Sequence, residues 1–154
     1  MTTLAGGRIS GTDRPAVIRT RAGLISSIAD LSGHQEETTG ETTVDVTGLT
    51  VAPGLIDLQI NGAYGSDFTS EPETIWKVGA RLPAQGVTAF LPTIITSPAF
   101  TVNAARTALG GRPAGYRGAE PLGLHLEGPM LSARRPGVHD PDLMRLPSLE
   151  LIEG

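Results

Sequence analysis

The chain contains no cysteine. That excludes disulfides and thiolate-ligated metal centres, and it fits a reducing cytoplasm, though only as weak support. Aromatic residues make up 4% of the chain, the net charge is −4 and no basic run occurs, so a nucleic-acid surface of clustered cations is not expected. No apolar run approaches the ~20 residues of a membrane span. The opening MTTLAGGRIS has neither a cationic n-region nor an apolar h-region, so no secretion signal is expected and the protein reads as cytoplasmic. Length excludes something as well. The 154 residues suit one ordinary domain with a sizeable core, but fall short of the ~250 of a complete (β/α)₈ barrel.

The chemistry is concentrated in Pro121–His139, PLGLHLEGPMLSARRPGVH. Leu122, Leu124 and Leu126 alternate there with Gly123, His125 and Glu127, the period of a strand with one leucine face and one polar face. Gly128-Pro129 ends this strand and leaves Glu127 at its tip. A loop follows with Arg134, Arg135, a Pro-Gly turn and His139. Polar groups at the exit of an otherwise apolar strand point to the top of a parallel α/β sheet or barrel.

In chain order, residues 1–52 read as all-β. Ala16-Val17-Ile18 and Leu24–Ile28 flank an Arg-Ala-Gly hairpin turn. Residues 33–43 are polar and turn-rich and contain His34, a lone loop histidine best taken as solvated. Val44-Asp45-Val46 and Leu49-Thr50-Val51 read as a tight pair about Thr47-Gly48. Residues 53–154 change rhythm. Gly54–Gly62 (GLIDLQING) is a strand with Ile56, Leu58 and Ile60 on one face and Asp57, Gln59 and Asn61 on the other. Ser70–Glu73 has capping-box spacing before a helix through Ile75, Val78 and Leu82; Pro83 should distort its last turn and Gly86 should stop it. Val87–Thr96 is the next strand. Its ladder is expected to end near Leu91 because of Pro92, leaving Thr93 at the exit. Ser97-Pro98 starts a second helix, as N-cap and N1, and Gly110-Gly111 ends it. A third helix could begin within 140–154. A β-rich segment followed by βαβαβ argues for parallel strands.

Gln59 and Asn61, Thr93, and His125 and Glu127 thus share one end of the sheet. A carboxylate and imidazoles there suit a divalent metal, yet a catalytic zinc takes three protein ligands and an open position. Here Glu127 is a clear donor, His125 a weaker one and His139 a loop residue. Each also has a structural reading: a strand-end carboxylate, a hydrogen-bonded strand histidine, a loop histidine, and solvated Arg134 and Arg135. Gln59 and Asn61 could be polar filler at the sheet mouth. Residue pattern alone leaves both readings open.

Val51–Gly62 (VAPGLIDLQING) resembles the first barrel strand of the amidohydrolase superfamily, with Gln59 and Asn61 where that pattern usually has two histidines. Together with GVTAFLPTIITS at Gly86–Ser97 and GLHLEGPMLS…GVHDP at Gly123–Pro141, the chain resembles the N-acetylglucosamine-6-phosphate deacetylase family over essentially its whole length. The resemblance implies an α/β fold: a β-sandwich segment, 1–52, then the first three βα units of an incomplete (β/α)₈ barrel, 53–154. It implies metal-assisted hydrolysis of N-acetylglucosamine 6-phosphate to glucosamine 6-phosphate and acetate, with one zinc per site. Glu127 would ligate the metal. His139 and Val138 would contact the sugar phosphate. Gln59 and Asn61, in place of a second metal's ligands, imply a single-metal site, with Thr93 and His125 lining it. No catalytic base is expected in this chain; the family's aspartate and metal-binding histidines are expected beyond Gly154. The resemblance further implies a homo-oligomer at full length, with no nucleic-acid or membrane partner. On this reading the chain is an inactive portion of such an enzyme. Two alternatives stand: another amidohydrolase, acting on a cyclic amide or acylated sugar, or a non-catalytic module that pairs with a second chain.

Overall fold

In a computed structural model, residues 1–12, 14–30 and 42–153 are described. His34 lies outside them. The chain divides into two units, Met1–Pro53 and Gly54–Gly154.

The first unit is a single sheet. Strand β1 (Thr2–Ile9) pairs antiparallel with β2 (Pro15–Arg21), which pairs antiparallel with β3 (Leu24–Asp30). The β2–β3 turn is Ala22-Gly23, with φ of 49° and 79°. Positive φ at both central residues is what a two-residue hairpin with right-twisted strands demands. Ala16, Val17 and Ile18 of β2 are buried.

The expected tight pair does not form. Strands β4 (Thr42–Asp45) and β5 (Thr50–Val51) do not pair with each other; both run parallel to β1, at Thr2–Ala5 and at Arg8–Ile9. The chain steps along one edge instead of turning back. Val46 N–H donates to the Ala5 carbonyl and Arg8 N–H to the Leu49 carbonyl, each at 2.9 Å. Gly6, at φ 87°, sits against this step, and a Cβ there would collide with Thr47. Side-chain alternation reports that two segments are strands, not which neighbour each chooses.

The second unit is a parallel α/β sheet. Strand β6 (Leu55–Ile60) pairs parallel with β7 (Val87–Ile95). On its other side β7 pairs parallel with β8 (Glu120–Pro121) and then with β9 (His125–Glu127). The connections carry helix α1 (Ile75–Gly79), flanked by 3₁₀ turns, and helix α2 (Ala99–Gly110). A 3₁₀ turn at Pro141–Leu143 and the short α3 (Glu150–Glu153) follow. The core lies between sheet and helices: Phe68, Ile75, Val78, Leu82, Phe90, Ile94, Ala105 and Ala119.

Three local expectations are corrected. The Ser70–Glu73 capping box is absent: Asp67 Oδ1 takes the N–H groups of Thr69 (2.9 Å) and Ser70 (3.0 Å), and the Ser70 hydroxyl turns to the same carboxylate at 3.3 Å. An ionised carboxylate is the stronger acceptor and wins the local donors. Helix α2 begins one residue late, with Pro98 at its N-cap and no side-chain cap. Most consequentially, β7 does not stop at Leu91 but runs through Pro92 to Ile95. Pro92 falls where the ladder has room for it. It is the register partner of Ile60 on β6, and on its other side it lies between the β8 pairing at Ala89–Phe90 and the β9 pairing at Thr93–Ile95. On that side no strand residue stands opposite Pro92 to miss its N–H. The distortion expected at Pro83 is present: α1 ends at Gly79, Leu82–Gln85 is 3₁₀, and Gly86 closes it at φ 80°.

The leucine face of the third strand is broken between β8 and β9. Leu122 and Leu126 are exposed at 58% and 48%, while Leu124 packs on the core. On β6, Leu55, Ile56 and Leu58 are likewise exposed, at 58–64%. Among the described residues, no helix is long and apolar enough to cross a membrane.

An aromatic cluster ties α1 to the loop before β8. Trp76 meets Tyr116 edge to face at 4.8 Å between centroids, and its Nε1–H donates to the Ala108 carbonyl at 2.8 Å. The Tyr116 hydroxyl donates to the Ala119 carbonyl at 2.7 Å. Burial pushes the Tyr116 phenol up from its ordinary value, the Glu120 carboxylate adds to this, and Arg112 opposes it. The folded state thus holds this proton more tightly than the unfolded state. The corresponding stability is present below the ordinary phenol value of about 10 and is lost as pH rises through the folded value. Tyr116→Phe should therefore flatten the alkaline limb of a stability-versus-pH curve, measured by denaturant midpoint. An unchanged limb in the variant would assign that loss to other groups.

Candidate functional site

The site is built where β6, β7 and β9 end. Register places Thr93 beside His125 and Ile95 beside Glu127 on parallel neighbours. Thr96, the first residue past β7, is buried at 6% exposure and reaches two segments. Its hydroxyl, with one hydrogen to give, lies 3.2 Å from the Glu127 carbonyl and 2.9 Å from His139 Nδ1, to which the Thr96 N–H also points at 3.3 Å. His139 is held in turn by its own N–H, which donates to the Pro136 carbonyl across the Pro-Gly turn at 3.0 Å.

The Glu127 carboxylate, one-third exposed, sits between two side chains. His139 Nε2 lies 3.5 Å from Oε1, and the Gln59 amide donates to Oε2 at 3.2 Å across the intervening β7. Of the sequence candidates, Gln59, Glu127 and His139 therefore converge. Thr93 and His125 form a separate pair, with the fully buried Thr93 Oγ1 at 3.2 Å from His125 Nδ1 and 3.3 Å from the Leu91 carbonyl. The Asn61 backbone carbonyl accepts the Phe68 N–H at 2.8 Å and so secures the loop after β6. Val138 is 81% exposed beside His139. Arg134 and Arg135 are exposed.

Two threonines join the set without having been singled out in the sequence. Thr96 is the hub described above, and Thr69 Oγ1 accepts the Ile95 N–H at 3.3 Å. Reading Pro92 as the end of β7 placed Thr96 outside the strand. Had the strand been carried to Ile95, the register partner of Glu127, Thr96 would have stood at its exit, one residue further on.

A divalent metal fits the described residues poorly. Among them, no group of three or more His, Cys, Asp or Glu side chains gathers to hold an ion. Glu127 is one carboxylate, and a catalytic zinc takes three protein ligands. His139 Nδ1 is already engaged by Thr96.

A parallel α/β sheet with polar side chains gathered at its strand exits is an arrangement on which α/β enzymes build their sites. No family model matches the chain. N-acetylglucosamine-6-phosphate deacetylase of Caenorhabditis elegans is 39% identical over 117 residues, 71% of this chain and 28% of the relative. The Homo sapiens protein of the same name is 38% identical over 109 residues, 68% of this chain and 27% of its own length. The crystal structure of N-acetylglucosamine-6-phosphate deacetylase from Pasteurella multocida aligns with a TM-score of 0.83 at 27% identity, covering 99% of this chain and 40% of that one. Over the portion it shares with them, the chain belongs to the N-acetylglucosamine-6-phosphate deacetylase family. That portion is well under half the length of these relatives.

Gly128 shows how tightly the exit is packed. Its φ is 93°, and a Cβ there would run into Thr96 Oγ1. Gly128→Ala should lower unfolding stability by more than about 1 kcal/mol, because it combines backbone strain with a clash against a buried hydroxyl. A denaturant midpoint equal to that of the parent would contradict this packing.

Proposed function

We propose that the chain supplies one end of the active site of an enzyme that hydrolyses N-acetylglucosamine 6-phosphate to glucosamine 6-phosphate and acetate. The observation that carries this reading is the convergence of Glu127, His139 and Gln59 at the strand exits of a chain related to N-acetylglucosamine-6-phosphate deacetylases. In this reading the parallel sheet is part of a (β/α)₈ barrel, Glu127 is one ligand of a single divalent metal, taken to be zinc, and His139 and Val138 contact the substrate. Gln59 orients the Glu127 carboxylate, Asn61 holds the loop beside it, and Thr93 and His125 line the wall. When bound, such a metal supplies a lowered water pKa and a polarised amide carbonyl. Glu127 by itself does not hold it, and the remaining ligands and a proton-handling group are not among the described residues. The full-length enzyme is taken to be cytoplasmic and homo-oligomeric.

Two measurements test this. The chain assayed alone with zinc should release no acetate from N-acetylglucosamine 6-phosphate. A chimera in which it replaces the aligned portion of the Pasteurella multocida protein should release acetate. Glu127→Gln in that chimera should cut the rate by at least about a hundredfold, since loss of an outer-shell partner alone costs roughly 10–100-fold. A folded chimera without activity, or a Glu127→Gln chimera as active as its parent, would sink the assignment.

One observation favours a second reading. Strand β6 lies at the edge of its sheet with Leu55, Ile56 and Leu58 exposed. An exposed apolar edge strand is a template for pairing, which fits a non-catalytic module that binds another polypeptide. A soluble, monodisperse purified chain with a cooperative melting transition would favour it, and an aggregating chain with no such transition would count against it.

A further inference from the structure

We infer that Thr96 is a positioning residue: it locks the His139 imidazole with its proton on Nε2, so that the site presents an N–H donor and a carboxylate side by side. This rests on the reading above that His139 contacts the substrate, and it goes further by assigning the ring's polarity.

A backbone N–H can only donate, and the Thr96 N–H points at His139 Nδ1 at 3.3 Å. Placing the ring proton on Nδ1 would set two N–H groups face to face, so Nδ1 is the acceptor and the proton of the neutral ring sits on Nε2. The Thr96 hydroxyl has one hydrogen, for which His139 Nδ1 at 2.9 Å competes with the Glu127 carbonyl at 3.2 Å, and it strengthens this arrangement when that hydrogen turns to the ring. The same hydroxyl reaches the Glu127 carbonyl at 3.2 Å, so one side chain spans the strand exit that carries the carboxylate and the loop that carries the imidazole. Nε2 then faces Glu127 Oε1 at 3.5 Å with a hydrogen to give. With its side chain 8% exposed, His139 has little freedom to turn over.

The chemical consequence is specific. A ring nitrogen that bears the proton has no lone pair for a metal, so the Nε2 of His139 offers a hydrogen bond to an oxygen acceptor, such as a phosphate, hydroxyl or carbonyl oxygen. His139 is therefore a donor to substrate and not a ligand or a base at that atom. The tight packing of Gly128 against Thr96 Oγ1 holds the hub in place.

The test reads the ring directly, in the chain alone and without metal or substrate. Heteronuclear NMR of the His139 ring nitrogens would be recorded at alkaline pH. The expected result is a protonated Nε2 and an Nδ1 resonance displaced by hydrogen-bond acceptance. Thr96→Val removes the hydroxyl and keeps the backbone N–H, so its Nδ1 resonance should move part of the way toward the unbonded position, while Thr96→Ser should keep the parent value. A proton on Nδ1 in the parent chain would overturn the inference, as would an Nδ1 resonance in Thr96→Val identical to the parent. If Thr96→Val does not fold, the parent and Thr96→Ser spectra decide. Absence of deacetylase activity in the chimera would leave these resonances unaffected, so failure of the functional reading and failure of this inference are distinguishable.

Discussion

The pairing of β7 with every other strand of its unit is the constraint on which the rest depends. Strand β6 lies along one side and β8 and β9 along the other, all parallel. Because parallel neighbours share a direction, all of them end on the same side, and the polar residues at their tips are gathered without any further instruction. The register of β7 then decides which tips meet. Ile95 stands opposite Glu127, which leaves Thr96 one residue further on and within reach of both the Glu127 carbonyl and the His139 ring.

The carboxylate at this exit is held by orientation more than by charge. Gln59 donates to one oxygen and His139 faces the other. Neither partner is a fixed cation, and the group keeps a third of its surface in solvent. A carboxylate so placed is oriented yet still accessible, as a group that is to meet a ligand must be. The Thr93–His125 pair, by contrast, consumes its own polarity: a fully buried hydroxyl satisfied by a ring nitrogen and a strand carbonyl is a structural wall.

Much of this was legible in the order of residues. Short β-favouring runs marked β2 and β3 and alternation marked β6 and β9 as strands, the Arg-Ala-Gly turn marked the hairpin, and the β–α–β–α–β succession marked the parallel sheet. Pro83 and Gly86 marked where α1 must fail and where its extension must stop. Other features were hidden because they depend on competition or on neighbours. Ser70 and Glu73 have the spacing of a cap, but Asp67 outbids them for the local donors. Pro92 is a strand breaker unless its missing N–H falls in a gap of the ladder, and the gap between β8 and β9 exists only in three dimensions. The leucines of the third strand alternate as a core face would, yet Leu122 and Leu126 keep about half of their surface in solvent.

By itself the sequence determined which residues could form strands and which end of each strand would be polar, because backbone period and turn chemistry are local. It also carried the motifs that mark the relationship to the deacetylases. Only the tertiary structure decided the partners. It set β4 and β5 on one edge of β1, carried β7 past its proline, and brought Gln59, Thr96, Glu127 and His139 together from four separate segments. Strand pairing and the hydrogen bonds across it are set by packing between segments far apart in the chain, and no local pattern encodes that distance.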